Sequence, residues 1–191
     1  MSNLQNMFKG CRSLESVEFS FSSENASGVT ASVSDIFKGC RSLHTITGDW
    51  GKLNSAGELS IILGKECTAL ATFNASLQRL TIGDYFFYNC QSLVNFSGSL
   101  AALTSGVCMF LRCKLNLQSV TNIITSMTTE NNSATGTLTL GIDKTIKNEV
   151  KTYLVNKGCA FTSETFDTDK SSTTTFVNAA GNTWNLEIYW N

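Results

Sequence analysis

Apolar residues in the first 120 positions recur at a long, regular interval. Five segments are centred on Cys11, Cys40, Cys67, Cys90 and Cys113, and they follow the order Phe-x-x-Cys-x-x-Leu-x-x-apolar with departures in the third and fifth copies. Neighbouring cysteines are 29, 27, 23 and 23 residues apart, and the third segment has Gly64 where the others have phenylalanine. A unit of this length cannot bury its apolar side alone. The pattern therefore predicts coils that stack on one another and share one core.

The repeat resembles the BspA-type leucine-rich repeats of gut-bacterial surface proteins and of their phages, whose unit reads roughly I-G-x-x-a-F-x-x-C-x-S-L-x-x-I. The closest stretch is LTIGDYFFYNCQSLVNF, residues 80–96, and the resemblance covers about residues 4–120. It implies an α/β leucine-rich-repeat solenoid, β-rich and right-handed, with four to five coils in residues 1–115. The fifth copy has CKLNL instead of CxSL, so we expect the chain to leave the coil pattern there.

Residues 116–163 show shorter periods. A helix is predicted first, with apolar positions at Leu117, Val120, Ile124 and Met127. GTLTLG then alternates like a strand, and DKTIKNEVKTYLVNKG predicts a second helix that starts at Asp143 and ends at Gly158. The segment CAFTS follows as a predicted strand. We therefore expect an α-β-α-β cap on the last coil, similar to the ending of such gut proteins.

Residues 164–191 form the third predicted unit. SSTTTFVNAAGNTWNLEIYWN predicts a β hairpin with its turn at Gly181 and Asn182. Its aromatic residues are Trp184, Tyr189 and Trp190. Two interpretations stay open. The hairpin either packs back on the domain, or it serves as a docking strand through which the chain contacts a partner or forms a homo-oligomer.

The seven cysteines allow either a metal or disulfide framework or a packing role. Their number is odd, no C-x-x-C pair occurs, and Cys108 with Cys113 forms an isolated C-x4-C. Ladder cysteines on adjacent coils would point the same way rather than at each other. We therefore predict reduced cysteines that pack as small apolar side chains in the core, with no metal site.

Outward positions on the strands after each leucine are expected to stack across coils as two polar rows. The first polar row is Ser16, Thr45, Thr72 and Asn95. The second polar row is Glu18, Thr47, Asn74 and Ser97, with Trp50 nearby. The rows either serve solubility alone or form a shallow binding surface for a glycan or a protein partner.

Charge and motif content exclude several functions. Lysine plus arginine is 14 and aspartate plus glutamate is 15, so the chain lacks the basic surface of a nucleic-acid binder. We find no apolar run long enough to insert into a membrane and no signal peptide. There is one histidine, and no catalytic or phosphate-loop motif is complete. The acidic residues near predicted turns are assigned to turn and cap roles; they are Asp35, Asp49, Glu58 and Asp84.

These observations predict a non-enzymatic leucine-rich-repeat interaction module without a cofactor. One expected setting is a virion or tail-associated protein of a gut-bacterial phage, which serves assembly or host attachment. The alternative is a secreted bacterial surface adhesin that binds host protein or glycan. Both settings place the protein on a virion or at a bacterial cell surface.

Overall fold

The computed structural model describes residues 5–18, 20, 35–49, 66–78, 80–129, 135–161, 172–178 and 181–191. Four short strands, β1 (Ser16–Glu18), β2 (Thr45–Gly48), β3 (Thr72–Ala75) and β4 (Asn95–Phe96), form a parallel sheet in chain order. Each strand begins five residues after a repeat cysteine, and the strands pair in the register that alignment on the cysteines predicts. We use the word coil for one repeat segment with the strand that follows it.

The inward face of this sheet is apolar. Val17, Ile46, Phe73 and Phe96 occupy equivalent positions on the four strands. Phenylalanines of the repeat stack in the same way behind them: the ring centroids of Phe8 and Phe37 are 5.4 Å apart, and those of Phe87 and Phe110 are 5.3 Å apart. Each coil therefore contributes one layer of a core that runs through the stack.

The repeat cysteines join neighbouring coils. The Cys40 thiol donates to the Phe8 carbonyl at 2.9 Å, and the Cys67 thiol donates to the Phe37 carbonyl at 2.9 Å. Cys113 does the same toward Phe87 at 3.3 Å. Each of these phenylalanine carbonyls also accepts the backbone N–H of the cysteine in its own coil. Both lone pairs of each carbonyl oxygen are therefore used. Cysteine fits this position because it is small, mostly apolar and still a weak donor.

The turn before each cysteine uses the left-handed backbone region. Gly39 has φ of 73° with no atom within 4 Å of the position its Cβ would take, and Arg112 has φ of 69° at the equivalent position. Glycine adopts this conformation without strain, whereas an L side chain costs about 1–2 kcal/mol. The Lys-Gly-Cys order of the first two copies therefore reflects the turn rather than a phosphate or metal site.

The remaining elements follow the coils. They are helix α1 (Leu117–Thr129), strand β5 (Thr137–Ile142), a 3-10 turn (Lys144–Ile146), helix α2 (Lys147–Asn156), and strands β6 (Ser172–Val177) and β7 (Thr183–Trp190). The three strands form a second sheet in the order β5-β7-β6, in which β5 and β7 are parallel and β6 and β7 antiparallel. Val150 and Leu154 are the buried residues of α2, and Asp143 Oδ1 accepts the Thr145 N–H at 2.9 Å at the start of the 3-10 turn.

The predicted strand in CAFTS is wrong for its described part, because residues 159–161 are irregular; residues 162 and 163 lie outside the described residues.

Both edges of β5 are paired with other parts of the chain. β7 pairs along one edge through six residue pairs. The last coil occupies the other edge, where Gly106 and Leu115 form bridges to Leu138 and Ile142. The cap strand and the hairpin thus belong to one sheet, with β7 in its centre.

β5 lies very close to the last coil, and two glycines make this contact fit. A Cβ on Gly141 would lie 2.4 Å from the Phe110 carbonyl oxygen, and 2.7 and 2.8 Å from the backbone N and O of Cys113. A Cβ on Gly136 would lie 2.3 Å from the Thr104 carbonyl oxygen. The hydrogen-bonded backbone of the coils therefore continues into the second sheet without a gap.

Candidate binding groove

Both polar rows lie on the outward face of the parallel sheet. The members of the first polar row pair with one another across β1 to β4. In the second polar row Glu18, Thr47 and Asn74 pair in the same way, and Ser97 follows directly after β4. All eight side chains are exposed or half-buried. Trp50, which is predicted beside them, lies outside the described residues.

Side-chain hydrogen bonds connect neighbouring members of each polar row at the β4 end of the sheet. Asn95 Nδ2 donates to Thr72 Oγ1 at 3.5 Å, and Asn95 Oδ1 accepts from Asn116 Nδ2 at 2.9 Å. In the second polar row Ser97 Oγ donates to Asn74 Oδ1 at 2.7 Å. The polar groups of the last two strands are thereby held in fixed orientations.

Asn116 extends the first polar row by a fifth position. Its N–H donates to the Val94 carbonyl at 3.1 Å, just as the Asn95 N–H donates to the Ala71 carbonyl one coil earlier. Its Oδ1 accepts the Ser119 N–H at 2.8 Å and caps α1. Sequence reasoning missed Asn116 because it follows Cys113 by three residues instead of five. An asparagine directly before an amphipathic run was the available signal.

Side chains of α1 close the outer edge of β4. Ser119 Oγ accepts the Phe96 N–H at 2.8 Å and donates to the Val94 carbonyl at 2.8 Å. Asn122 Nδ2 donates to the Phe96 carbonyl at 3.3 Å. The backbone N–H and C=O groups at this edge of β4 are therefore hydrogen-bonded to side chains of α1. The two polar rows end where α1 begins to cover the sheet.

A groove runs between α1 and the outward face of β3 and β4, and we call it the α1 groove. Two adjoining cavities of about 570 and 220 Å³ form it, and they share Ser97 and Asn122. Among the described residues that line it, all except Phe96 and Gly98 have amide or hydroxyl side chains, and none carries a charge. The groove therefore favours a partner that offers hydrogen-bonding groups but no net charge.

Donors and acceptors both remain for such a partner. Asn74 lines the groove, and because its Oδ1 accepts from Ser97, its amide nitrogen is the group that can donate to a partner. Gln118 Nε2 donates to Asn122 Oδ1 at 2.9 Å, which leaves the Gln118 carbonyl oxygen as an acceptor. Gln118 and Asn122, like Asn116, were not among the residues predicted from the sequence. Their position became apparent only when α1 packed against β4.

The three aromatic residues of the tail have different environments. Trp184 is fully buried and stacks on Phe176 with ring centroids 6.3 Å apart. Trp190 is 7% exposed, and its Nε1 donates to Ser172 Oγ at 3.4 Å. Tyr189 is half-buried, and burial together with Glu187 and Cys108 raises its pKa. Burial of the two indoles favours the interpretation in which the hairpin packs back on the domain.

All seven cysteines are free in the structure. Cys40, Cys67, Cys90 and Cys113 are completely buried in the core, whereas Cys11 in the first coil is exposed. Burial raises the pKa of the Cys67 thiol to about 12, and it raises the pKa of Cys90 and Cys113 as well. The buried thiols are therefore protonated and unreactive at neutral pH. Among the described residues no group of three His, Cys, Asp or Glu side chains is placed to hold a metal ion.

Two of the carboxylates near turns have structural partners. Asp84 Oδ1 accepts from Ser105 Oγ at 2.6 Å and from the Val107 N–H at 2.9 Å, which ties one coil to the next. Asp35 lies 3.3 Å from Lys38 Nζ and 3.7 Å from Lys9 Nζ. Both therefore act within the coil turns.

Comparison with protein-family models, with curated proteins and with solved structures finds no match for this chain. Within the described part of the chain, neither helix combines the length and the apolar character needed to cross a membrane.

Proposed function

We propose that the protein is a non-enzymatic interaction module, built from leucine-rich-repeat coils, that binds an uncharged polar partner on the outward face of its parallel sheet. The α1 groove is the observation that carries this proposal, since amides and hydroxyls from two coils and one helix converge there, and none of the described lining residues is charged. Such a lining supplies recognition through hydrogen bonds. It lacks the paired acid and base groups that acyl transfer or glycoside hydrolysis requires.

The resemblance of the repeat supports a setting at a bacterial or viral surface. We propose a virion or tail-associated protein of a gut-bacterial phage, which uses the sheet face for assembly or host attachment. A secreted surface adhesin that binds host protein or glycan is the alternative. Genes for tail or capsid proteins beside this gene would favour the phage setting, and an encoded secretion signal upstream would favour the adhesin.

A binding screen tests the proposed function. The full chain is immobilised and exposed to neutral oligosaccharides, acidic oligosaccharides and surface proteins of gut bacteria, with binding measured by biolayer interferometry. We expect binding to uncharged polar ligands that changes little between about 50 mM and about 500 mM salt, because screening acts on charged contacts. Absence of binding across the panel, or turnover of a ligand, would contradict the proposal.

Self-association through the tail is proposed only for the outer edge of β6. Among the described strands, β6 lies at one edge of the second sheet, and Val177 at its end is 58% exposed. Exposed edge strands pair readily with a second copy. Light scattering on the chain and on Val177→Lys tests this: we expect a dimer that the substitution converts to a monomer, and an equal mass for both proteins would refute it.

A further inference from the structure

We propose that the α1 groove is a binding subsite for a short, uncharged oligosaccharide. This inference rests on the proposed function and deepens it, because it assigns both the place of binding and the class of ligand. The ligand would lie along the β3–β4 surface beside α1, in contact with Asn74, Asn95, Gln118 and Asn122. Four properties of the groove support it: its lining, its closed strand edge, its network of hydrogen-bonded amides and its size.

The lining matches the chemistry of a sugar without ionised groups. Each hydroxyl of a sugar both donates and accepts a hydrogen bond, so a complementary site needs amide and hydroxyl groups in close succession. The amide nitrogen of Asn74 and the carbonyl oxygen of Gln118 supply one donor and one acceptor on opposite sides of the groove. Because no side chain is charged among the lining residues that the structure describes, a uronic acid or a sulfated sugar would lose hydration beside them without a compensating ion pair.

The closed edge of β4 argues against a peptide that adds as an extra strand. Such peptides bind through free backbone N–H and C=O groups at a sheet edge. Here the N–H and carbonyl of Phe96 are already paired with Ser119 and Asn122 of α1. Protein partners also need buried aromatic or arginine anchors as binding hot spots. Phe96 is the one large apolar residue in the described part of the lining, and it is buried and packs in the core.

Hydrogen bonds between amide side chains fix the orientation of groove residues before a ligand binds. Asn95 is held by Thr72 and Asn116, and Asn122 is held by Gln118 and the Phe96 carbonyl. Side chains fixed in advance lose less conformational freedom on binding. The larger of the two cavities, about 570 Å³, lies within the range of about 300–1,000 Å³ that is typical of small-ligand sites. Two or three sugar rings are therefore the expected length of the bound segment.

The test is a titration of the ¹⁵N-labelled full chain with neutral trisaccharides of hexose and of N-acetylhexosamine, followed by amide chemical shifts. A trisaccharide that contains a uronic acid serves as the charged comparison. We expect shifts confined to β3, β4 and the first turns of α1. Asn74→Ala and Gln118→Ala should each weaken binding by about three- to tenfold, which is the loss expected for one hydrogen bond.

Asn148→Ala is the matched control, because Asn148 is an exposed amide on α2 outside the groove. It should leave the affinity unchanged. Thr125→Trp, at an exposed position of the groove, should block binding while the spectrum stays that of a folded protein. Sugar binding that Asn74→Ala, Gln118→Ala and Thr125→Trp all leave intact would overturn the groove assignment but spare the proposed function. Preference for the uronic acid, or binding to proteins alone, would overturn the ligand class.

Discussion

Replacement of Gly141 by alanine should open the junction between the coils and the second sheet. The added Cβ would meet three backbone atoms of Phe110 and Cys113, at 2.4, 2.7 and 2.8 Å. Backbone atoms cannot rotate away as a flexible side chain can. Since carbon contacts are comfortable only near 3.5 Å, β5 must move outward by about 1 Å. That movement stretches the bonds from the Leu115 N–H to the Gly141 carbonyl at 3.0 Å and from the Phe110 N–H to the Thr139 carbonyl at 3.1 Å.

The magnitude follows from these two effects. Overpacking in a tight core costs about 1–3 kcal/mol, and each weakened hydrogen bond adds about 0.5–1.5 kcal/mol. We therefore expect Gly141→Ala to lower the free energy of unfolding by about 2–6 kcal/mol, a large part of the 5–15 kcal/mol of a typical domain. Urea unfolding followed by tryptophan fluorescence measures this value, because Trp184 and Trp190 lie on β7, the strand paired with β5.

Gly39→Ala is the matched control for Gly141→Ala. Gly39 has φ of 73° and no atom within 4 Å of the Cβ position, so alanine brings backbone strain but no clash. Part of that strain is offset because alanine reduces the freedom of the unfolded chain, and the net cost should be about 1 kcal/mol or less. Equal losses for the two variants would refute the close-contact explanation.

Three further predictions concern the thiols and the helix cap. Native labelling with a thiol reagent should modify Cys11 and the half-buried Cys108 quickly, and the five buried cysteines only after unfolding; fast labelling of all seven would contradict the packing. The contribution of the buried thiols to stability should be constant below about pH 8.5 and should fall as pH rises toward 12. The reason is that an unfolded thiol ionises near pH 8.5 while Cys67 keeps its proton to about pH 12. The slope is about 1.4 kcal/mol per pH unit for each such thiol, and Cys67→Ala should reduce it by one thiol's share in urea titrations at pH 8 to about 10; a flat profile for both proteins would be inconsistent with burial. Asn116→Ala should cost about 1 kcal/mol of unfolding free energy by loss of the α1 cap, whereas Asn116→Asp should retain most of it; equal losses would argue against capping.

The sequence predicted the local elements well where a repeat or a period was strong. Cysteine spacing placed the β-strands and their register, since every coil must offer the same inward residues to its neighbours. The amphipathic runs placed α1 and α2, and Gly181 marked the hairpin turn, where it has φ of 80°. The spatial order of the second sheet was not predictable in this way. CAFTS and the hairpin strands all had suitable composition, and only the structure shows that β7 is the strand that pairs with β5.

The candidate site was predicted only in part. Thr72, Asn74, Asn95 and Ser97 follow from alternation along the strands. Asn116, Gln118 and Asn122 do not, because their contribution depends on the angle at which α1 meets β4. A break in a repeat carries no periodic signal, so the residues after the break can be located only in three dimensions. The groove therefore arises where the repeat ends.

Because the α1 groove lies at one end of the parallel sheet, ligand binding there does not depend on the number of repeats before it. Its walls come from the last two strands of the parallel sheet and from α1. A gene that gained or lost a coil before Cys67 would lengthen or shorten the stack and leave these walls as they are. The length of the coil stack and the ligand specificity of the α1 groove can thus change independently in evolution. A designer can insert extra coils before Cys67 without redesigning the groove.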